Sequence, residues 1–169
     1  GVRLVMCGAV PGADWGGQRK DELQVPREAL ERYALPAAFL KRVGDVVAEV
    51  REFLRESIAI ARQAGVPHDQ IVVDPGIGFG KRPEHNIDIL RRLEEFRTLG
   101  CPILVGTSRK SFIGHYLGGK GVEDRLMGTA ATVAAAILHG ADIVRVHDVA
   151  DLIDVVRISD VIKRTEKTG

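Results

Sequence analysis

The segment Ile71-Val-Val-Asp-Pro-Gly-Ile-Gly-Phe-Gly-Lys81 decides how the rest of the chain is interpreted. Its first three residues are apolar without alternation, which is typical of a strand buried on both faces of a parallel sheet. Asp74 stands where this strand ends, and the proline and glycines after it predict a turn whose backbone can approach a ligand closely. In α/β enzymes the chemistry lies at the carboxyl ends of such strands. The alternative is an ordinary turn in which Asp74 caps backbone amides.

Strands and helices alternate on both sides of this segment. The predicted strands are Val2–Met6, Ile71–Val73, Pro102–Val105 and Ile143–His147, and the predicted helices are Ala37–Ala64, Glu84–Leu99, Glu123–His139 and Leu152–Arg164. Residues 7–38 predict a long loop or insertion, because this stretch is longer than an ordinary strand-to-helix connection. The alternation requires a parallel sheet with right-handed crossovers. Four such units form either a small open α/β sheet or one half of an eight-stranded barrel.

The amino-acid composition indicates which classes of partner the protein is not expected to bind. The chain has 169 residues, of which 45% are hydrophobic and 28% charged, with a net charge of +1. We therefore expect neither a nucleic acid partner nor a membrane, since no basic field and no apolar run of membrane-spanning length is present. Cys7 and Cys101 stand far apart and outside any CxxC pair, which favours a reduced, cytoplasmic setting. The chain has no initiator methionine, so we expect a fragment of a longer protein.

Three of the four predicted strands end in polar groups. Asp74 follows the second strand, Ser108, Arg109 and Lys110 follow the third, and Arg145 and His147 lie two apart on the fourth. Since parallel strands end at one edge of a sheet, we expect these groups to converge. A carboxylate can pair with a heterocycle rich in N–H groups, and the cations can hold phosphate oxygens. This inventory suits transfer of a group away from a phosphate or pyrophosphate.

Some of these residues also have an ordinary structural explanation that involves no ligand. Arg109 and Lys110 could form a solvated helix N-terminus, whereas an arginine between valines, such as Arg145, would be costly to bury unpaired. Ser108 has no partner in sequence that would make it a hydrolase nucleophile. Dinucleotide-binding, P-loop and zinc spacings are absent from the sequence. The remaining histidines are predicted to be surface or capping residues: His68, His85, His115 and His139.

Three segments together resemble the dihydropteroate synthase family of folate biosynthesis. They are Val73-Asp-Pro-Gly-Ile-Gly-Phe-Gly-Lys81, Gly106-Thr-Ser-Arg-Lys-Ser-Phe-Ile-Gly114 and Arg145-Val-His-Asp-Val149. The resemblance implies a TIM-type (β/α)8 barrel, with residues 1–169 covering about its last four βα units, the C-terminal half, and with residues 7–38 inserted in it. The first half of that barrel would then lie outside this chain.

The resemblance also implies an activity and a set of roles. Such transferases condense 6-hydroxymethyl-7,8-dihydropterin pyrophosphate with p-aminobenzoate to give dihydropteroate and pyrophosphate. Asp74, Lys110 and Arg145 would be the catalytic residues, with Asp74 holding the pterin ring and Lys110 bridging to the p-aminobenzoate pocket. The other substrate-binding residues would be Phe79 and Ser108 in that pocket, Gly106 under the pterin, and His147 beside Arg145 on the pyrophosphate.

The resemblance also has implications for the metal ion and the oligomeric state. The resemblance implies Mg²⁺, whose ligand we expect in the absent first half, so no metal ligand is assigned within this chain. It also implies a homodimer formed through the late helices. Two other functions stay open: a related pterin-dependent methyltransferase barrel, and a truncated pterin-binding module without catalysis. The cations at the strand ends argue against methyl transfer, which needs no pyrophosphate clamp.

Overall fold

The computed structural model describes the backbone of residues 4–7 and 45–165 and the side chains of residues 45–164. Within this part, four strands are present: β1 (Leu4–Cys7), β2 (Ile71–Asp74), β3 (Leu104–Val105) and β4 (Ile143–Val144). Apart from Cys7, which ends β1, the predicted insertion over residues 7–38 lies outside the described residues.

The strands run parallel and follow one another in space in chain order. β1 pairs with β2, with Leu4 opposite Ile71, and β3 pairs with β4, with Leu104 opposite Ile143. A single parallel bridge between Val73 and Ile103 joins the two pairs. The predicted parallel α/β arrangement is therefore confirmed, and all four carboxyl ends lie at the same edge.

Five α-helices and three 3-10 helices are described. The α-helices are α1 (Val46–Gln63), α2 (Pro83–Arg91), α3 (Ser111–Tyr116), α4 (Leu126–Leu138) and α5 (Val149–Thr165), and the 3-10 helices are His68–Gln70, Leu93–Leu99 and Val122–Arg125. α1 begins after Asp45, whose Oδ1 accepts hydrogen bonds from the amides of Val47 at 3.0 Å and Ala48 at 3.3 Å. The predicted start of this helix, at Ala37, lies outside the described residues. No helix in the described ranges is both long and apolar enough to span a membrane.

The described helices differ from the prediction in one interrupted helix and one additional helix. The predicted helix Glu84–Leu99 is interrupted at Arg92, where the chain passes from α2 into a 3-10 helix that ends at Gly100 in a left-handed conformation. Helix α3 was not predicted, because its six residues are too short to show an amphipathic period.

The core lies between the sheet and the helices that follow the strands. Its largest side chains with almost no exposure include Leu54 of α1, Ile71 of β2, Ile89 of α2 and Phe96 of the second 3-10 helix. α4 is built from small residues and packs closely against α3, because a methyl group added at Gly128 would collide with Ile113 Cγ2. The same helix packs along α5.

Some predictions about the last strand and the histidines are wrong. Strand pairing in β4 ends at Val144 instead of His147, although the Arg145 amide still donates to Val105 O at 2.9 Å. Arg145 and His147 therefore follow the strand, and both are exposed, so Arg145 escapes the cost of burial. His85 is 6% exposed and belongs to the interior, not the surface.

Candidate active site

The carboxylate of Asp74 closes the turn that follows β2. Asp74 is 8% exposed, and its Oδ1 accepts a hydrogen bond from the Gly76 amide at 2.8 Å. The capping interpretation of this residue is therefore correct for one oxygen, and the bond fixes the orientation of the whole carboxylate at the edge of the sheet. A carboxylate held in this way can accept hydrogen bonds from a ligand with adjacent N–H groups.

Lys81 anchors the same turn, although the sequence analysis gave this residue no role. Its Nζ donates to Gly76 O at 2.9 Å and lies 3.4 Å from Phe79 O. Burial lowers the pKa of Lys81 to about 8; the charge of Asp74 opposes this change and the charge of Lys110 adds to it. The available signal was a lysine placed directly after a glycine-rich turn, where its side chain can fold back on the turn's carbonyl groups.

Lys110 crosses from the loop after β3 to the turn after β2. Its Nζ donates to Ile77 O and lies 3.6 Å from the centroid of the Phe79 ring, as a cation–π contact. Gly78 has a φ of +80°, and a Cβ at this position would collide with Lys110 Cδ. The structure thus brings the predicted site residues Phe79 and Lys110 together and shows why glycine occupies position 78.

Asn86 of α2 supports this turn from below and was also missed. It is 1% exposed, its Oδ1 accepts from the Gly78 amide at 2.6 Å, and its Nδ2 donates to Arg82 O at 2.9 Å. Asn86 stands four residues before Leu90 and seven before Leu93, so helical spacing places it on the buried face of the helix. A polar residue at that position was the signal that could have identified it.

The loops after β3 and β4 meet through Ser108 and His147. Ser108 Oγ lies 2.8 Å from His147 Nδ1 and accepts a hydrogen bond from the His147 amide at 3.2 Å. A Cβ added at Gly106 would lie 3.9 Å from Arg145 Cβ, which is an ordinary contact distance. The structure therefore places Gly106 beside Arg145 and Ser108 beside His147, as their predicted positions at strand ends require.

Arg109 is not a solvated helix N-terminus. Its guanidinium forms two hydrogen bonds with Asp148, from Nε to Oδ2 at 3.0 Å and from Nη2 to Oδ1 at 2.6 Å. This pairing raises the pKa of Arg109 and lowers the pKa of Asp148. Because the two residues are separated by 39 positions in sequence, no local pattern could have predicted the pair.

Cations outnumber carboxylates around the turn after β2 and the strand ends beside it. Lys81 and Lys110 interact electrostatically with one another, and Lys81 also interacts with Asp74. Arg145 lies on the neighbouring β4 side, next to Gly106. This edge can therefore hold a heterocycle at its carboxylate and an anion at its cations. Among residues 45–164, no group of three or more His, Cys, Asp or Glu side chains could hold a metal ion.

Comparison with known proteins identifies a family for this chain. Residues 36–147 match the family model of pterin binding enzymes. A dihydropteroate synthase from Synechocystis is 48% identical over 121 residues, which are 72% of this chain and 42% of that relative. The Escherichia coli dihydropteroate synthase is 45% identical over 114 residues, or 68% of this chain and 40% of its own length.

Solved structures give the same result. Dihydropteroate synthase from Clostridium difficile, determined with pteroic acid, has a TM-score of 0.67 and 48% identity over 70% of this chain and 44% of its own. The Xanthomonas albilineans enzyme, in complex with 7,8-dihydropteroate, has a TM-score of 0.69 and 40% identity over 72% of this chain and 46% of its own. The chain thus spans less than half the length of these relatives. The match over most of its length shows that the chain belongs to the family of pterin binding enzymes.

Proposed function

We propose that this chain is the C-terminal half of a dihydropteroate synthase with a TIM-type (β/α)8 barrel. The complete enzyme would join 6-hydroxymethyl-7,8-dihydropterin pyrophosphate to p-aminobenzoate, forming dihydropteroate and releasing pyrophosphate. The observation that carries the proposal is the position of Lys110, whose ammonium group spans the Phe79 ring and Ile77 O. This contact joins two strand-end loops into one surface beside Asp74, as a site for two substrates requires.

Asp74 is proposed to bind the pterin. Its carboxylate, oriented by the Gly76 amide at 2.8 Å, would accept hydrogen bonds from the ring N–H and amino groups. The same negative charge would stabilise the pterin cation that develops as the bond between the pterin methylene carbon and the pyrophosphate oxygen breaks. Gly106 would lie under the ring.

The cations and the two pocket residues complete the proposed reaction. Arg145 and His147 would neutralise the departing pyrophosphate, and Lys110 would contact both the pterin and the second substrate. Phe79 and Ser108 would line the p-aminobenzoate pocket. The amine of p-aminobenzoate would then attack the methylene carbon, forming the new C–N bond and losing one proton.

Three finer features of the enzyme are also proposals. A homodimer is supported by exposed apolar side chains on the last two helices, among them Met127 at 78% and Ile158 at 62% exposure. The resemblance implies Mg²⁺, and we propose that its ligand lies in the first half of the barrel. We also propose a cytoplasmic location.

Two measurements test the proposed function. Calorimetry with the pterin pyrophosphate should show binding, and Asp74→Asn should weaken it roughly tenfold or more because a charged acceptor is lost. In a pyrophosphate-release assay with an N-terminal half supplied from the E. coli relative, Lys110→Ala and Arg145→Ala should each reduce turnover roughly 100-fold. Unchanged rates in both variants would contradict the site assignment, and methyl transfer without pyrophosphate release would favour the methyltransferase alternative.

A further inference from the structure

The pair formed by Arg109 and Asp148 connects the two loops that carry most of the proposed site. Arg109 lies between Ser108 and Lys110, and Asp148 directly follows His147. The two hydrogen bonds, at 3.0 and 2.6 Å, therefore act one residue away from the Ser108 Oγ to His147 Nδ1 contact at 2.8 Å. Any change in the pair would be transmitted directly to that contact.

The backbone of Arg109 is held in an uncommon conformation. Its φ of +58° makes it the one non-glycine residue with positive φ in the described part of the chain. The conformation is held from both sides, because the Arg109 amide donates to Thr129 Oγ1 at 3.0 Å and Arg125 Nη1 donates to Arg109 O at 2.9 Å. Thr129 is itself fully buried. Such a conformation persists only where its surroundings determine it, and it directs Ser108 towards the loop after β4 and Lys110 towards the turn after β2.

The guanidinium of Arg109 is already engaged by carboxylates of the chain. Besides Asp148, Nη1 donates to Glu123 at 2.9 Å. Nε, Nη1 and Nη2 thus each have an acidic partner, which leaves the group badly suited to bind a substrate anion directly. Its contribution to the site must act through the residues beside it in sequence.

We propose that Arg109 and Asp148 are a pair of positioning residues that hold the loops after β3 and β4 in register, so that His147 faces its anionic ligand while Lys110 reaches the turn after β2. The proposal rests on the proposed function for the identity of that anion, which we take to be pyrophosphate. It adds two residues that would touch neither substrate.

A positioning role and a purely electrostatic role predict opposite changes in anion affinity for the substitution Asp148→Asn. If Asp148 acted only through its charge, Asp148→Asn would strengthen anion binding, because a negative charge near the anion would be lost. If the pair positions the loops, Asp148→Asn and Arg109→Met should both weaken binding by roughly tenfold, and the double variant should be little worse than either single one. The matched control is the Arg92–Asp45 pair, which is likewise joined by two hydrogen bonds. Asp45→Asn and Arg92→Met should leave binding unchanged.

The experiment titrates inorganic pyrophosphate into the full 169-residue chain by calorimetry. Weakening in both single variants without additivity, with partial rescue in Arg109→Lys, supports the proposal. Stronger binding in Asp148→Asn, or independent additive losses, overturns it.

A second readout separates this proposal from the proposed function. If the wild-type chain binds no pyrophosphate, the proposed anion site fails, and the pair is then judged by NMR alone. The ¹⁵N shift of His147 Nδ1 reports the hydrogen bond with Ser108, and Arg109→Met should change it although position 109 is remote from 147 in sequence. An unchanged shift in a folded Arg109→Met variant overturns the positioning role.

Discussion

Two arginine–aspartate pairs, each joined by two hydrogen bonds, serve different parts of this molecule. Arg92 donates to Asp45 through two bonds of 2.8 Å, and Arg109 donates to Asp148 through bonds of 3.0 and 2.6 Å. In each case the arginine also contacts a glutamate, Glu95 at 2.6 Å in the first pair. The first pair, called the outer pair, joins the start of α1 to the residue between α2 and the second 3-10 helix. The second joins two loops at the carboxyl edge of the sheet.

The difference between the pairs lies in what their neighbours do. Asp45 is the N-cap of α1, so the pair at this end stabilises a helix. Asp148 and Arg109 stand beside residues of the candidate site, so the pair at the edge determines where other side chains point. The same contact chemistry can thus affect either stability or ligand geometry, and the three predictions below test whether that division holds for the two regions as a whole.

The largest loss of ligand affinity is expected for Gly78→Ala, in the turn after β2 at the carboxyl edge of the sheet. The added Cβ would collide with Lys110 Cδ and would force alanine into a φ of +80°. Because Lys110 must move, binding of the pterin pyrophosphate should weaken roughly 100-fold, since a hydrogen bond from a charged group contributes about 1.5–3 kcal/mol. Calorimetry on the 169-residue chain measures it.

Gly118→Ala is the matched control for this change. Gly118 has a similar φ of +72°, and a Cβ there would meet nothing within 4 Å. It should therefore lower the free energy of unfolding by about 1 kcal/mol through backbone strain and leave ligand affinity intact. Equal losses of affinity in both variants would show that general destabilisation, not the position of Lys110, explains the result at Gly78.

The glycine-rich segment and the alternation of strands with helices were enough to predict the parallel α/β arrangement. The boundaries were less well predicted where tertiary contacts override local pattern. The helix expected over Glu84–Leu99 tightens after Arg92, whose side chain turns to Asp45 and Glu95, partners that helical periodicity does not reveal. β4 ends early because its pairing with β3 extends over only two residues of each strand.

The sequence predicted those parts of the site that come together because parallel strands end at the same edge. Phe79 and Lys110, and likewise Ser108 and His147, are brought together because parallel strands end at one edge. The spacing of Asn86 from Leu90 and Leu93 indicates its burial, but its hydrogen bond with the Gly78 amide is a tertiary property that the spacing does not reveal.

A second prediction concerns the pH dependence of stability at the edge. The pKa of Lys81 falls from an ordinary 10.5 to about 8 on folding because of burial, so the folded chain releases this proton before the unfolded chain does. Lys81 therefore costs stability below pH 8, and this cost is relieved as the pH rises towards 10.5. Between pH 7 and 10 the wild type should gain on the order of 2 kcal/mol relative to Lys81→Met. Urea unfolding at both pH values measures the difference, and a constant difference would mean that the ammonium group is not desolvated.

The smallest effect is the stability contribution of Asp45 in the outer pair. Its pH dependence is opposite to that of Lys81. The hydrogen bonds from Arg92 lower the pKa of Asp45 from 3.8 to about 2, so its contribution is complete above pH 3.8 and is lost as the pH falls through 2. Because the Asp45 side chain is 42% exposed, solvent screens the ion pair, and Asp45→Ala should cost about 1 kcal/mol at pH 7, mainly through the lost cap. Asp45→Asn should cost less, since an asparagine oxygen can still accept from the amides of Val47 and Ala48. Neither variant should change pterin affinity. A loss of affinity as large as that expected at Gly78 would mean that the start of α1 and the carboxyl edge of the sheet behave as one cooperative unit, and the division drawn between the two pairs would be wrong.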